Sequence, residues 1–293
     1  IGVRLVGSEM CIRDRLRALL GQNDIALVDP YIHTSAMAGL KGTNVKRIGH
    51  NDLEYLEKTL KETKDQYQTR LVIIDGVYSQ DGDLSLLPEI ISLCKTHEAM
   101  LMLDDAHGIG VMGANGRGTA EHFNCLGQVD IITGTFSKSF GCVGGFAAAS
   151  KKIIQYLKFY ADSNVFSAAP TPQVTASILK ALEIIKKEPA IRARLWENTD
   201  YLRSRLTTEG FDIGKSVSPI FPIMIRDNKK VYEIAKMLQE KGIFTIGIVY
   251  PAVRTKEARL RVSVLATHEH EQLDALINAL NDINKDIKIK KEQ

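Results

Sequence analysis

The stretch Thr133-Gly-Thr-Phe-Ser-Lys138-Ser-Phe-Gly-Cys-Val-Gly-Gly145 decides how the rest of the chain is read. Ahead of it, Val129, Ile131 and Ile132 form an apolar run that predicts a buried strand, and the run gives way to small hydroxyl residues, one lysine and glycines. A lysine just past the C-terminal end of a parallel strand stands where open α/β sheets bind ligands. Burial at that point would lower the pKa of its amine and make it nucleophilic. A solvated loop lysine fits the stretch alone equally well, so the surrounding chain has to decide.

Working outward, Leu71 to Ile74 is an apolar run ending in Asp75, and Met100 to Leu103 is another ending in Asp104 and Asp105. Between them Pro88 to His97 has helical spacing, with Leu87, Ile90, Ile91 and Cys94 on one face. Strand, helix, strand, then a further strand over Val129 to Thr135, predicts crossover units in a mostly parallel sheet. The polar groups Asp75, Asp104 and Thr135 would then converge at one sheet edge. Nearer the start, Leu16 to Asn23 reads as a helix end stopped by Gly21, and Ile25 to Val28 as a strand before Asp29-Pro30. His33 falls in a loop or helix start, and Asn51 with Glu54 makes a cap-like opening to a helix running to about Thr63. Gly108-Ile-Gly-Val-Met-Gly113 matches a dinucleotide-binding fingerprint after a strand. The fingerprint needs a helix opening on its glycines, whereas Ala114-Asn-Gly-Arg-Gly118 continues the loop, so the nucleotide reading is disfavoured.

Farther along, Ser150 to Ala161 reads as a helix and Asn164 to Ala169 as an extended link. Thr171 caps a helix with Pro172 at its first position and Val174, Ile178, Leu182 and Ile185 on its buried face. Glu188-Pro189 is the expected boundary into a long helix stopped by Gly210. Beyond it, strands near Pro219 to Ile225, Ile243 to Val249 and Arg259 to Leu265 alternate with helices near Lys229 to Lys241 and Glu269 to Ile283. The expected organisation is therefore a large domain over 16–188 and a smaller α+β domain over 189–293. Residues 1–15 show no clear period, resemble a translated sequencing adapter, and are expected to be a leader foreign to the native chain.

The 293 residues, 44% hydrophobic and 25% charged with a net charge of +3, describe an ordinary globular protein with no electrostatic bias toward nucleic acid. No apolar run approaches the ~20 residues a spanning helix requires. The cysteines, Cys11, Cys94, Cys125 and Cys142, are scattered, which argues against a zinc site or disulfide framework and fits a cytoplasmic location. His268 and His270 stand two apart, off a common helical face, so no metal pair is expected. The basic run Lys285, Lys288, Lys290 and Lys291 reads as a solvated, fraying tail.

An acidic strand end, a histidine three residues on and a lysine after the next strand suit pyridoxal phosphate (PLP). That cofactor needs a lysine to hold it as a Schiff base and an aspartate against its pyridine nitrogen; Lys138 and Asp104 fit. Asp104-Asp-Ala-His107, Gly113-x-x-Gly-Arg-Gly118, and Thr135-Phe-Ser-Lys138 with Gly144-Gly145 resemble the α-oxoamine synthase family of fold-type I PLP enzymes. So do His33-Thr-Ser, His50-Asn-Asp, Val77-Tyr-Ser79-x-Asp-Gly-Asp83 and Ala258-Arg-Leu-Arg261, and the likeness runs from about Leu16 to Ile283.

The resemblance implies a decarboxylative condensation of an amino acid with an acyl-CoA to give an α-amino ketone. It assigns Lys138 the Schiff base and the α-proton, Asp104 the pyridinium, His107 the cofactor's phenolic oxygen region and the reacting carbonyl, and His33 the ring face. It further implies that Ser79 reaches the phenolic oxygen, Thr135 the phosphate, Ser167 the phosphate of a neighbouring subunit in a homodimer with shared active sites, and Arg261 the substrate carboxylate. Phe136-Ser-Lys-Ser139 looks most like serine-using, sphingolipid-forming members. Tyr250-Pro-Ala-Val253 is closer to glycine-using ones such as 2-amino-3-ketobutyrate CoA ligase, and 8-amino-7-oxononanoate synthase-like activity stays open. Family members also carry a segment before His33, with a small-plus-aromatic pair near the phosphate, that this chain is expected to lack. An inactive truncated pseudoenzyme is therefore the remaining alternative.

Overall fold

The four apolar runs that should make a parallel sheet do so because each can be buried on both faces. In the computed structural model, which describes residues 2–6, 10–162, 166 and 168–290, the chain forms two compact units, Ile1–Tyr78 with Leu84–Glu188, and Ser79–Asp83 with Pro189–Gln293. The strands of the first are β1 (Gly2–Val6), β2 (Ile25–Val28), β3 (Asn44–Arg47), β4 (Arg70–Asp75), β5 (Met100–Asp104), β6 (Ile131–Thr135) and β7 (Gly145–Ala149). They lie in the order β1-β7-β6-β5-β4-β2-β3, with β3, β2, β4, β5 and β6 mutually parallel and β7 antiparallel to both β6 and β1. Val72, Ile73, Ile74, Leu101, Met102 and Leu103 are essentially sealed from solvent, the near-continuous apolar reading that parallel strands covered on both faces require. One face carries a core of Leu16, Ala26, Val28, Leu71, Ile73 and Leu157, and the other packs Leu56, Leu60, Leu87, Ile90 and Leu103.

The second unit has strands β8 (Ile220–Met224), β9 (Ile246–Ile248) and β10 (Arg259–Ser263), in the antiparallel order β8-β10-β9. Helices Pro189–Thr208, Asn228–Glu240 and His270–Asp286 bury Leu202, Leu206, Val231, Ile234, Ile277 and Leu280 with Phe221, Ile223 and Leu260. Ser79–Asp83 belongs to this unit rather than to the one that surrounds it in sequence, which a division by residue ranges alone does not foresee.

Several expectations are corrected. Within the first fifteen residues, where the sequence shows no clear period, residues 2–6 form β1, which pairs along β7, and the helix Met10–Leu19 buries Ile12 and Leu16. Asp52, not Asn51, caps the helix Leu53–Glu62, its carboxylate accepting the Tyr55 N–H at 2.9 Å. Asn51 instead takes a positive φ of 51°. On the helix Pro172–Lys187 only Ile178 is buried, Val174 and Ile185 are half-buried and Leu182 is exposed, so the described residues cover the apolar stripe only in part. As far as Lys290 the C-terminal tail is tied down rather than frayed: the Asn284 side chain accepts the N–H groups of Ile289 and Lys290, and Ile289 is buried. The expected extended link Asn164 to Ala169 lies largely outside the described residues.

Candidate active site

Register places the acidic strand ends side by side. Asp75 of β4 pairs with Asp104 of β5, which pairs in turn with Thr133 of β6, so residues of one row present their side chains to the same face. Asp75 and Asp104 are each 4% exposed. Burial raises the pKa of Asp104 and raises that of Asp75 well above the ordinary carboxylate range, since a charge loses its water there. The positive charge of Lys138 opposes the shift at both carboxyls, and His33 opposes it at Asp104. The Asp104 Oδ1 also accepts the Ala106 N–H at 3.2 Å. The chain thus brings Lys138, Asp104 and His33 into one electrostatic neighbourhood, although they lie on separate segments.

His33 is the N-cap of the short helix Thr34–Gly39, where its Nδ1 accepts the Ser35 N–H at 3.3 Å and lies 2.8 Å from the Ser35 hydroxyl. The His33 backbone N–H bonds to the Asp75 carboxyl. Half-buried His107 sits in a turn closed by the Gly108 and Ile109 N–H groups, both donating to the Asp105 carbonyl at 3.0 Å.

Lys138 lies in the loop 136–144 joining β6 to antiparallel β7, not at the start of a crossover. The loop is closed by bonds from Phe136 N–H to Gly144 O at 2.8 Å, Cys142 N–H to Phe136 O at 2.7 Å and Gly141 N–H to Lys138 O at 3.0 Å. Phe136 anchors it, buried against the rings of Phe140 and Phe146. Ser137, Lys138 and Ser139 remain exposed, so the burial expected to activate the lysine is absent. The Thr135 and Ser137 hydroxyls stand 2.8 Å apart, and the Ser137 N–H donates to Thr135 Oγ1 at 3.1 Å.

The glycine-rich loop after β5 has a different occupant, and sequence reasoning missed it. Asp105 points away from Asp104, is 1% exposed, and accepts the Thr119 N–H at 2.7 Å and the Thr119 hydroxyl at 2.6 Å. A Cβ on Gly108 or Gly118 would fall 2.0 or 1.9 Å from its carboxylate oxygens, and one on Gly76 2.5 Å away. Three glycines thus form a tight cradle around a carboxylate of the protein itself. Burial pushes the Asp105 carboxyl up to about 6 despite the two Thr119 bonds. The only signal in the sequence was the second aspartate of Asp104-Asp105 among so many glycines.

Ser79 and Arg261 belong to the second unit and are brought to each other: the Arg261 Nε donates to the Ser79 carbonyl at 2.6 Å. Arg259, buried beside it, pairs with Asp81, so both arginines of Ala258-Arg-Leu-Arg261 hold the Ser79–Asp83 crossing. Burial lowers the Arg261 pKa, and Nε to Ser79 is its one hydrogen bond among the described residues. Its two terminal nitrogens are therefore open to a planar carboxylate. Ser167 lies outside the described residues.

The donor set fits PLP on chemical grounds. A buried aspartate suits a pyridinium, a half-buried imidazole a ring face, a hydroxyl pair with a nearby N–H a phosphate, and an exposed lysine the Schiff base. No described helix is long and apolar enough to cross a membrane.

Comparison with known proteins agrees. The model of the aminotransferase class I and II family matches residues 6–280. A serine palmitoyltransferase from Sphingobacterium spiritivorum is 42% identical over 94% of this chain and 69% of its own length. An 8-amino-7-oxononanoate synthase from Thermoanaerobacter pseudethanolicus is 40% identical over 94% and 70%. A solved serine palmitoyltransferase from Sphingomonas wittichii superposes with a TM-score of 0.93 at 27% identity, covering 99% of this chain and 73% of that one. Another solved serine palmitoyltransferase, described with its PLP internal aldimine, gives a TM-score of 0.92. With the strand-end site and these relatives together, the chain belongs to the aminotransferase class I and II family of PLP enzymes, within its α-oxoamine synthases.

Proposed function

We propose that this chain condenses an amino acid, serine by preference, with an acyl-CoA and releases carbon dioxide and an α-amino ketone. The observation that carries this reading is the buried Asp104 carboxyl at a parallel strand end, within the electrostatic reach of Lys138 and His33. PLP, when bound, supplies an electron sink for negative charge at the amino acid's α-carbon.

Asp104, kept from water and supported by the Ala106 N–H, presents its carboxyl to the cofactor's ring nitrogen. His33, fixed by its cap to Ser35, covers the ring face. Thr135, with Ser137 beside it, would bond the phosphate, and the family resemblance assigns the phenolic oxygen to Ser79. Lys138, in its closed loop, would hold the cofactor and, once released, would take the α-proton on Nζ as general base. His107 donates an N–H toward the phenolic oxygen region and the thioester carbonyl oxygen, where negative charge develops. The family resemblance assigns the substrate carboxylate to Arg261, whose two terminal nitrogens suit a planar carboxylate.

The Phe136-Ser-Lys-Ser139 neighbourhood and the 42%-identical serine palmitoyltransferase support serine. The 40%-identical 8-amino-7-oxononanoate synthase supports a second reading with another amino acid and acyl-CoA. Turnover with serine, glycine and alanine against short and long acyl-CoAs, followed as free CoA, tests both. Serine with a long acyl-CoA is expected to be fastest, and turnover of alanine alone would favour the second. The homodimer with Ser167 reaching its neighbour, and the cytoplasmic location, belong to the same proposal. Phe159, 79% exposed, and Leu179, 62% exposed, supply apolar surface for a second copy, and sedimentation as a monomer at micromolar concentration would remove the dimer.

A further inference from the structure

Asp75 has no part in the chemistry above, yet it is the carboxyl buried beside Asp104. One of its oxygens receives the His33 N–H. Its Oδ1 is sealed from solvent and has no hydrogen-bond partner among the described residues. Two carboxyls standing in one row of a buried sheet edge resist ionising together, because each lacks water and each repels the other's charge.

Their surroundings are unequal. Asp104 has the Ala106 N–H, a bond from Thr133, and the charges of Lys138 and His33 in its favour. Asp75 has one N–H and the charge of Lys138 in its favour, and it faces the carboxyls of both Asp104 and Asp29. Asp29 is itself engaged by the His50 Nδ1, the Tyr78 hydroxyl and the Tyr31 N–H. Asp105, bonded to Thr119, and His107, three residues beyond Asp104, also lie on the segments around the pair. Hydrogen bonds and cations favour the charged form of an acid, so the charge belongs on Asp104 and the proton on its neighbour.

We propose that Asp75 is a positioning residue of the cofactor site: it carries the one proton shared by the two buried carboxyls, donates it from Oδ1 toward Asp104, and anchors His33 with its other oxygen. A single neutral acid then ties the group that meets the ring nitrogen to the group that covers the ring. The inference rests on the cofactor reading above, but its proton can be tested without the cofactor.

Asp75→Asn is the diagnostic variant, because its carboxamide is uncharged at every pH, accepts from His33 and donates to Asp104. A carboxyl whose folded pKa is raised contributes stability below its unfolded pKa and loses it as pH rises through the folded one. Melting temperatures of cofactor-free wild type and D75N should therefore run together up to about pH 4 and separate above it, wild type falling relative to the variant. Parallel curves would overturn the proposal. PLP titration, followed by absorbance at fixed pH, should give D75N a Kd within about threefold of wild type and Asp75→Leu a Kd weaker by about tenfold or more. A D75N protein as weak as D75L would also overturn it. If wild type binds no PLP, the cofactor reading fails while the melting curves still decide where the proton is. Should D75N not fold, infrared spectra of wild type with isotope-labelled aspartate at about pH 7 should show a protonated buried carboxyl. Asp105, at about 6, is then mostly ionised, and absence of the band contradicts the assignment.

Discussion

The loop after β5, residues 106–118, and the loop after β6, residues 136–144, leave neighbouring strands of one sheet, and both are rich in glycine. In the first, Gly108 and Gly118 close on the Asp105 carboxylate, and that carboxylate is satisfied by Thr119. In the second, backbone bonds close the loop on itself and leave Ser137, Lys138 and Ser139 exposed. The Ser139 hydroxyl, donating to the Ile109 carbonyl at 2.7 Å, joins the two. Glycine thus serves packing around an internal anion in one loop and presentation of a lysine in the other. Sequence spacing alone does not distinguish these uses, because the partner of the glycines comes from elsewhere in the fold.

The two loops should differ most visibly at Lys138. Replacing it with alanine should lower kcat on the order of a thousandfold or more, while unfolding free energy moves by less than about 0.5 kcal/mol because the side chain is exposed. Gly118→Ala should do the reverse. Gly118 has a φ of 95° and no room for a Cβ beside Asp105, so denaturant unfolding should show a loss of roughly 3 kcal/mol. Asp105→Asn sharpens the contrast through pH. Burial raises the Asp105 carboxyl to about 6, so wild-type stability should fall as pH rises from about 4 to about 6, by about 2 to 3 kcal/mol. The variant should lack that part of the slope in pH-dependent melts. Smallest, and outside both loops, Arg261→Ala should raise KM for the amino acid by roughly 10- to 100-fold and leave KM for the acyl-CoA nearly unchanged in steady-state kinetics.

Much of the sheet was legible because β2, β4, β5 and β6 are short apolar runs, and the row Asp75, Asp104 followed from their ends. β3, reading Asn-Val-Lys-Arg and largely exposed, carries no such run. β7, reading Gly-Phe-Ala-Ala-Ala, lacks the branched residues that mark a strand, so the antiparallel return that turns the lysine loop into a hairpin was missed. The glycine cradle around Asp105 and the clasp of Arg259 and Arg261 on Ser79–Asp83 are long-range contacts with no local period. Lysine, aspartate and histidine of the site were legible by type and order, whereas the exposure of Lys138 was not, since a loop's burial is set by what folds over it.

The proposed chemistry depends on Lys138 being the residue to which PLP attaches. Adding PLP to the purified chain, reducing with borohydride and mapping the modified peptide by mass spectrometry tests this directly. A visible absorbance band is expected before reduction and the pyridoxyl group on Lys138 after it, both lost in Lys138→Ala. The absence of any band, or a band that persists in that variant with the label on another lysine, would contradict it.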